Sequence, residues 1–432
     1  MHRGTRFASA LLLGASCQVA HAWQLDYLLE LGLLHSDNIN LDANDPVSQN
    51  VLIPRLGFTL SESGSAVQAE ASGLIEFRDY LGDAYASEVR GSLNAVLNWT
   101  LLPERLMWTF ADNLGMYPVD LREPDTPDNV QRVNVFTTGP TWRFRLAPGW
   151  RGQVELRYAD SDAEENAGFD STRLAGAFRL GHELSPTRRL LGNVEVRSID
   201  FDNNTLATDY DRYDVYAGYA QTLNQFDMEF ALGYSHLDFA GSRSASGPLA
   251  RASLDWRAGA RNTFGLGLAW QFSDAATQMS EATGSLHNPL GAVGIGHVDV
   301  SPDVYKERRI EGRHGYESAR IVSAAQIYLA RFEYEQVTSF VSQDRDDRGI
   351  AFDLAYRVRP LIRLGVLAGI DRREYRQTRS SDRDRHYGLY LTQQWARHWS
   401  WRLDLTRNER DGADSSVSYD ENVAYARVTY TR

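Results

Sequence analysis

The chain has 432 residues, a formal net charge of −12 and one cysteine, Cys17. That balance argues against nucleic acid as a partner, and one cysteine excludes a disulfide framework. A chain of this length would ordinarily split into roughly two or three domains, yet no linker, charge block or composition shift marks a boundary.

Residues 1–22 read as a secretory signal peptide. Arg3 and Arg6 form a basic start, an apolar run covers Ala8–Ala15, and Ala20-His21-Ala22 gives a small-x-small cleavage site. Cys17 would leave with it; Gly14 stands where a lipid-attachment motif wants leucine. Residues 23–432 are expected to form a single domain. No apolar run in them approaches the roughly 18 residues of a spanning helix.

The first element of that domain is apolar from Leu29 to Leu34 and then breaks into His35-Ser36-Asp37-Asn38, with Asp42 and Asp45 beyond. Further on, Val89, Gly91, Leu93, Ala95, Leu97 and Trp99 alternate with Glu88, Arg90, Ser92, Asn94 and Asn98. Phe226, Met228, Phe230, Leu232 and Tyr234 alternate with Asp227, Glu229, Ala231, Gly233 and Ser235. Phe264 to Phe272 repeats the pattern. Period two means strands with two unlike faces.

The breaks between strands also alternate. Tight ones fall at Ser61–Ser65, Leu102–Glu104, Ala147–Gly149, Ser185–Thr187, Asn224-Gln225, Ala258–Arg261, Arg359-Pro360 and Arg397-His398. Longer polar ones fall at Ser36–Asn50, Met116–Asn129, Ala159–Phe169, Phe201–Thr208, Asp274–Ser301, Gln343–Arg348, Gln377–Arg385 and Asp411–Ser418. Short turns at one end and long loops at the other are the pattern of an outer-membrane barrel. Strands longer than the 5–6 residues usual in soluble sheets, and tryptophans near strand ends (Trp99, Trp108, Trp142, Trp256, Trp270, Trp395, Trp399, Trp401), point the same way. The expected fold is all-β: a transmembrane antiparallel up-and-down barrel of about 18–20 strands in the outer membrane, both termini periplasmic. The count turns on Asp274–Tyr316, where Leu290–Gly296 and Tyr305–Arg313 read as weak strands, an outer loop or a segment folded into the lumen.

Projecting the strands assigns one face to the lumen. It carries Arg90, Arg143, Arg145, Glu155, Arg157, Arg173, Arg179, Glu195, Arg197, Arg212, Asp227, Glu229, Arg251, Asp255, Arg357, Arg363, Arg402 and Asp404. Lys306 is the only lysine, so nearly every cation is a planar guanidinium, a donor fork suited to carboxylate and phosphate. These residues read either as a selective pathway for an anionic or hydroxyl-rich solute, or as charge ladders that hydrate and brace a wide lumen. Catalytic motifs are absent: no G-x-S-x-G, H-E-x-x-H, C-x-x-C or Walker loop, and the eight histidines beyond the leader are scattered. Asp344–Gly349 begins like a calcium loop but fails at Arg348 and Ala355. No enzyme, cofactor or metal is expected; the acidic loops read as solvated, meeting lipopolysaccharide through divalent ions.

The signal peptide, the first strand and Ser36-Asp37-Asn38-Ile39 before an acidic loop resemble the β-barrel porin 2 family, as do Asp303-Val304-Tyr305 and Tyr328–Tyr334. These are outer-membrane barrels encoded with exopolysaccharide and exosortase systems. The resemblance implies a channel for exopolysaccharide export, working with a polysaccharide substrate and periplasmic export proteins. A general passive porin, or a plugged barrel with binding loops, stays open. One departure is the end of the chain: Tyr430 lies two places before Arg432, where such barrels usually close on an aromatic residue.

Overall fold

The computed structural model describes residues 23–241, 243–282, 298–335 and 343–432. The leader and the Leu290–Gly296 candidate strand lie outside them. Twenty strands follow one another around a ring. They are β1 (Gln24–Ser36), β2 (Gln49–Ser63), β3 (Val67–Tyr80), β4 (Glu88–Leu102), β5 (Leu106–Pro118), β6 (Val130–Ala147) and β7 (Trp150–Ala163). Next come β8 (Ser171–Ser185), β9 (Arg188–Phe201), β10 (Tyr210–Thr222), β11 (Phe226–Phe239), β12 (Arg243–Arg257) and β13 (Asn262–Ser273). After the short helix α1 (Ala275–Ala282) follow β14 (Tyr305–Glu317), β15 (Ile321–Tyr334), β16 (Arg345–Arg359) and β17 (Ile362–Tyr375). The last three are β18 (Ser380–Gln394), β19 (Trp399–Asp411) and β20 (Tyr419–Thr431). Each pairs antiparallel with its sequence neighbours, and β1 pairs with β20, Leu29 opposite Tyr430. The sheet therefore closes, leaving no open edge between first and last strands.

The register carries one face through the whole ring. Leu29 of β1 lies opposite Leu56, Leu56 opposite Ile75, and Ile75 opposite Gly91. Leu25, Leu29, Leu31, Leu33, Leu56, Ile75, Val89, Leu156, Leu174, Val215, Leu232, Leu266, Ile310, Leu329, Ile350, Val366, Leu389 and Leu405 share it, and all are exposed. An exposed apolar band around a closed barrel is a surface made for lipid. Nine of the ten tryptophans gather toward the tight-turn end; Trp270, toward the other end, is the exception. There Tyr158, Tyr213, Tyr234 and Tyr387 take the interfacial place. The described residues begin and end at the tight-turn end, where Tyr27 and Arg432 exchange backbone hydrogen bonds. Tyr430 packs against Trp399 with ring centroids 5.2 Å apart, so this near-terminal aromatic sits in the girdle although the chain ends in arginine.

The strand count is twenty because Tyr305–Glu317 is a full strand, paired with β13 and β15. A ninth tight turn, at 318–320, follows it. Several expected loops are partly strand: Met116–Pro118 belongs to β5 and Ala159–Ala163 to β7. Two long polar stretches are strand as well: Arg345–Gly349 belongs to β16 and Ser380–Arg385 to β18, where loops were expected. These stretches are polar on both faces because the strands run on past the lipid. On the outer face Ile350 gives way to Arg348 and Asp346, Ile370 to Arg372 and Glu374, and Tyr387 to Arg385. The β11–β12 and β17–β18 connections are correspondingly short, 240–242 and 376–379.

Glycine matters at two kinds of place. Gly149, in the β6–β7 turn, takes a φ of +77°, which a side chain disfavours. Gly365 of β17 faces Tyr390 of β18 in register, and the ring lies over the bare Cα. A Cβ there would clash with the ring. Gly365→Ala should destabilise the barrel by about 1–3 kcal/mol, read as a lower temperature at which it loses its folded, fast-migrating band in detergent gels. Adding Tyr390→Ala should return part of that loss.

Candidate functional site

The inner face carries most of the charge, and on β6 to β10 its charges fall into layers set by the register. One row holds Arg143, Gln153, Arg179, Asn193 and Tyr216 on β6 to β10. The next row toward the long-loop end holds Thr141, Glu155, Ala177, Glu195 and Asp214. Above it lie Arg157, Ala175, Arg197 and Arg212, and then Arg173, Ile199 and Tyr210. The Glu155/Glu195/Asp214 row lies between two arginine rows, so pairing runs between layers. Arg179 reaches Glu195 at 3.0 Å and Glu155 at 3.3 Å, Arg197 reaches Glu195 at 3.0 Å, and Arg212 reaches Asp214 at 3.0 Å.

All the other residues assigned from sequence to the lumen also lie opposite the apolar band, most with a partner. Arg90 pairs with Glu88 at 2.8 Å, Glu229 with Arg189 at 3.0 Å, Asp227 with Arg257 at 3.9 Å and Asp255 with Arg313 at 3.5 Å. Arg357 pairs with Glu317 at 2.7 Å and Arg402 with Asp404 at 2.6 Å; Arg251 donates to Gln271, and Arg157 to Pro140 O at 2.8 Å. Arg143, Arg145 and Arg363 make no ion pair among the described residues. For most of the wall, then, the charges brace one another.

Two connections fold into the lumen, a feature alternation cannot signal. Helix α1 buries Ala275, Ala276 and Met279 against Val133 and Val135 on the inner face of β6. At its start Asp274 accepts from Arg173 at 2.6 Å, from Tyr210 at 3.2 Å and from Thr277. On its far side the same connection returns through Asp299, which accepts from Tyr334 and from the buried Arg345 of β16. The β5–β6 connection, 119–129, crosses toward β17 and β19. There the buried Arg373 donates to Leu121 O at 2.9 Å and Arg410 to Arg122 O at 2.6 Å, while Arg122 lies over the Tyr375 ring. These segments narrow the lumen at its long-loop end and answer the sequence ambiguity over Asp274–Ser301: its described residues lie inside.

Below them the wall is open. A cavity of about 240 Å³ lies between α1 and the upper arginine rows, and one of about 1050 Å³ opens at the tight-turn mouth; Arg179 lines both. The lower one is ringed by Arg105, Arg143, Arg145, Arg151, Arg179 and Arg189, with Glu104 and Glu183. Arg105, Arg151 and Arg189 were not picked out by the strand projection. Arg105 sits in a turn, where period two has ended, and the other two stand second in their strands, next to the turns.

Burial alone would raise the Asp274 carboxyl, but the Arg173 charge and the hydrogen bonds from Thr277 outweigh it and hold the group at about 2. Because this value is depressed, its contribution to anchoring is present above the ordinary carboxylate value and is lost as pH falls through about 2. The inward anchor should therefore resist pepsin at pH 4 and yield to it only as the pH approaches 2. Asp274→Asn leaves Arg173 buried without its counter-charge, a loss of about 3–5 kcal/mol. It should expose α1 to externally added protease at pH 7, where the parent chain resists.

No family model matches this chain, and no curated protein matches it. Several solved barrels resemble it in shape. A mutant ferric enterobactin receptor from Pseudomonas aeruginosa, in complex with enterobactin, is 11% identical over 95% of this chain and 81% of its own, with a TM-score of 0.50. The FrpB iron transporter from Neisseria meningitidis is 10% identical over 94% of this chain and 82% of its own, at 0.47. OpdK from Pseudomonas aeruginosa, solved with vanillate, is 10% identical over 95% and 98%, at 0.39. At such identities the first likeness speaks to fold alone: a closed antiparallel barrel of the outer-membrane type.

Proposed function

We propose that this protein is an outer-membrane channel serving the export of an exopolysaccharide. The observation that carries the reading is the charged inner wall of β6 to β10, with cavities from the tight-turn mouth up to α1. A 20-stranded ring is too wide for its own side chains to fill. A wet, charged wall is what a hydrophilic solute needs. The tight turns and both termini face the periplasm in this reading and the long connections face outward, the usual orientation of such barrels. The choice of polysaccharide rests on the resemblance carried by Ser36-Asp37-Asn38-Ile39 and Asp303-Val304-Tyr305. A passive porin is the second reading, favoured by the β5–β6 connection held across the lumen by Arg373 and Arg410. A fixed constriction suits sieving of small solutes.

Deletion of the gene should abolish secreted polysaccharide while leaving ordinary solute uptake unchanged; the reverse outcome would favour the porin. In planar bilayers the purified barrel should show small unitary currents. Arg373→Ala with Arg410→Ala, which frees the β5–β6 connection, should raise them severalfold. Unchanged currents would mean that this connection does not set the constriction.

A further inference from the structure

We infer that the tight-turn mouth of the lumen is a capture site for polymers bearing repeated oxyanions, carboxylate or phosphate. The inference deepens the channel reading, on which it rests for which side of the membrane the mouth faces.

Six arginines surround the mouth cavity, in a chain whose net charge is −12. Three are committed: Arg151 to Glu183 at 2.9 Å, Arg189 to Glu229 at 3.0 Å, and Arg179 to Glu155 and Glu195. Arg105, Arg143 and Arg145 form no ion pair among the described residues. Set against Glu104 alone, they leave a surplus of positive charge. Higher up the same wall every cationic row is answered by carboxylates. The contrast separates the two readings of the inner arginines: bracing accounts for the upper rows and leaves the mouth unexplained.

Geometry narrows the ligand. Arg143 and Arg145 are two residues apart on one strand face, about 7 Å, and Arg145 stands opposite Arg151 across the β6–β7 ladder. A row of forks at that spacing suits a chain carrying anions at intervals better than one small ion. The cavity, about 1050 Å³, matches the upper end of the roughly 300–1,000 Å³ typical of small-molecule sites, room for several monomers. Lipid headgroups do not compete for it, because Arg143 and Arg145 share the inner face with Gln153 and Arg179, away from the apolar band. Arg179 also lines the upper cavity, so a captured chain would lie at the foot of the arginine column.

The test is binding to the full-length barrel in detergent, followed by fluorescence anisotropy with a labelled oligogalacturonate, a polyphosphate of equal charge and a neutral dextran oligomer. The intact protein should bind one or both polyanions at low salt, lose them as ionic strength rises, and ignore dextran. Arg143→Gln with Arg145→Gln should weaken binding at least about tenfold, whereas Arg348→Gln, on the outer face, should not change it. Preference between the two polyanions tells carboxylate from phosphate. Equal binding by the double variant, equal binding of dextran, or no polyanion binding by the intact protein would overturn the inference. Because the assay needs no conduction, a barrel that binds polyanions yet passes no current would sink the channel reading and leave the capture site standing.

Discussion

The constraint on which the rest depends is that a sheet in lipid must satisfy its backbone polar groups by itself. Lipid offers no hydrogen bonds, so the sheet has to close, and here it closes through the β1–β20 ladder. Side chains reinforce that seam. Glu30 of β1 accepts from Arg55 at 2.9 Å, Tyr425 at 3.1 Å and Thr429 at 3.0 Å. At the long-loop end the buried Ser36 donates to Glu421 at 2.6 Å, and the buried Asn38 donates to Asp420 O at 2.9 Å. The break in the first element from apolar wall to polar residues is thus also the clasp of the ring.

Closure with twenty strands creates the second problem, a lumen wider than side chains can span. The molecule meets it differently at its two ends. At the long-loop end backbone is brought inside, and its carbonyls are met by buried guanidinium groups: Arg373 and Arg410 on Leu121 O, Arg410 on Arg122 O. Apolar clusters form there too, with Phe169, Met279 and Val300 packed between wall and connection. At the tight-turn end the turns are too short to reach inward, and the lumen stays open.

Much of this architecture was legible because period two survives wherever one face meets lipid. Leu29 to Leu33, Val89 to Trp99 and Phe226 to Tyr234 announce strands for that reason. Legibility failed where the lipid ended. Arg345–Gly349 and Ser380–Arg385 are strand residues with water or protein on both faces, so nothing in their polarity distinguishes them from loop. Tyr305–Glu317 was ambiguous on similar grounds: Lys306, Arg308 and His314 interrupt its outer face, and only Ile310 is a large aliphatic there. Of the candidate site, the inner arginines were visible as alternate positions. Their partners were not, since Glu155 and Glu195, which share Arg179, lie forty residues apart and meet only through the register. The inward anchors at Asp274 and Asp299 depend on contacts with strands distant in sequence, which no local pattern encodes.

The placement of paired and unpaired charge follows from where water remains. A guanidinium enclosed without a counter-charge is costly, and breaking such a pair costs more than an exposed one contributes. Arg173, Arg212 and Arg345, enclosed near the inward-folded connections, each have a carboxylate within about 3 Å. At the mouth no described connection excludes solvent, so Arg105, Arg143 and Arg145 can stand without an ion pair at little cost. The surplus of positive charge therefore collects at the wet end of the lumen, where it stays free to meet a mobile anion. The same rule that neutralises the narrowed end leaves the open end chemically available. That asymmetry makes the mouth, rather than the constriction, the part of the wall able to recognise a charged solute.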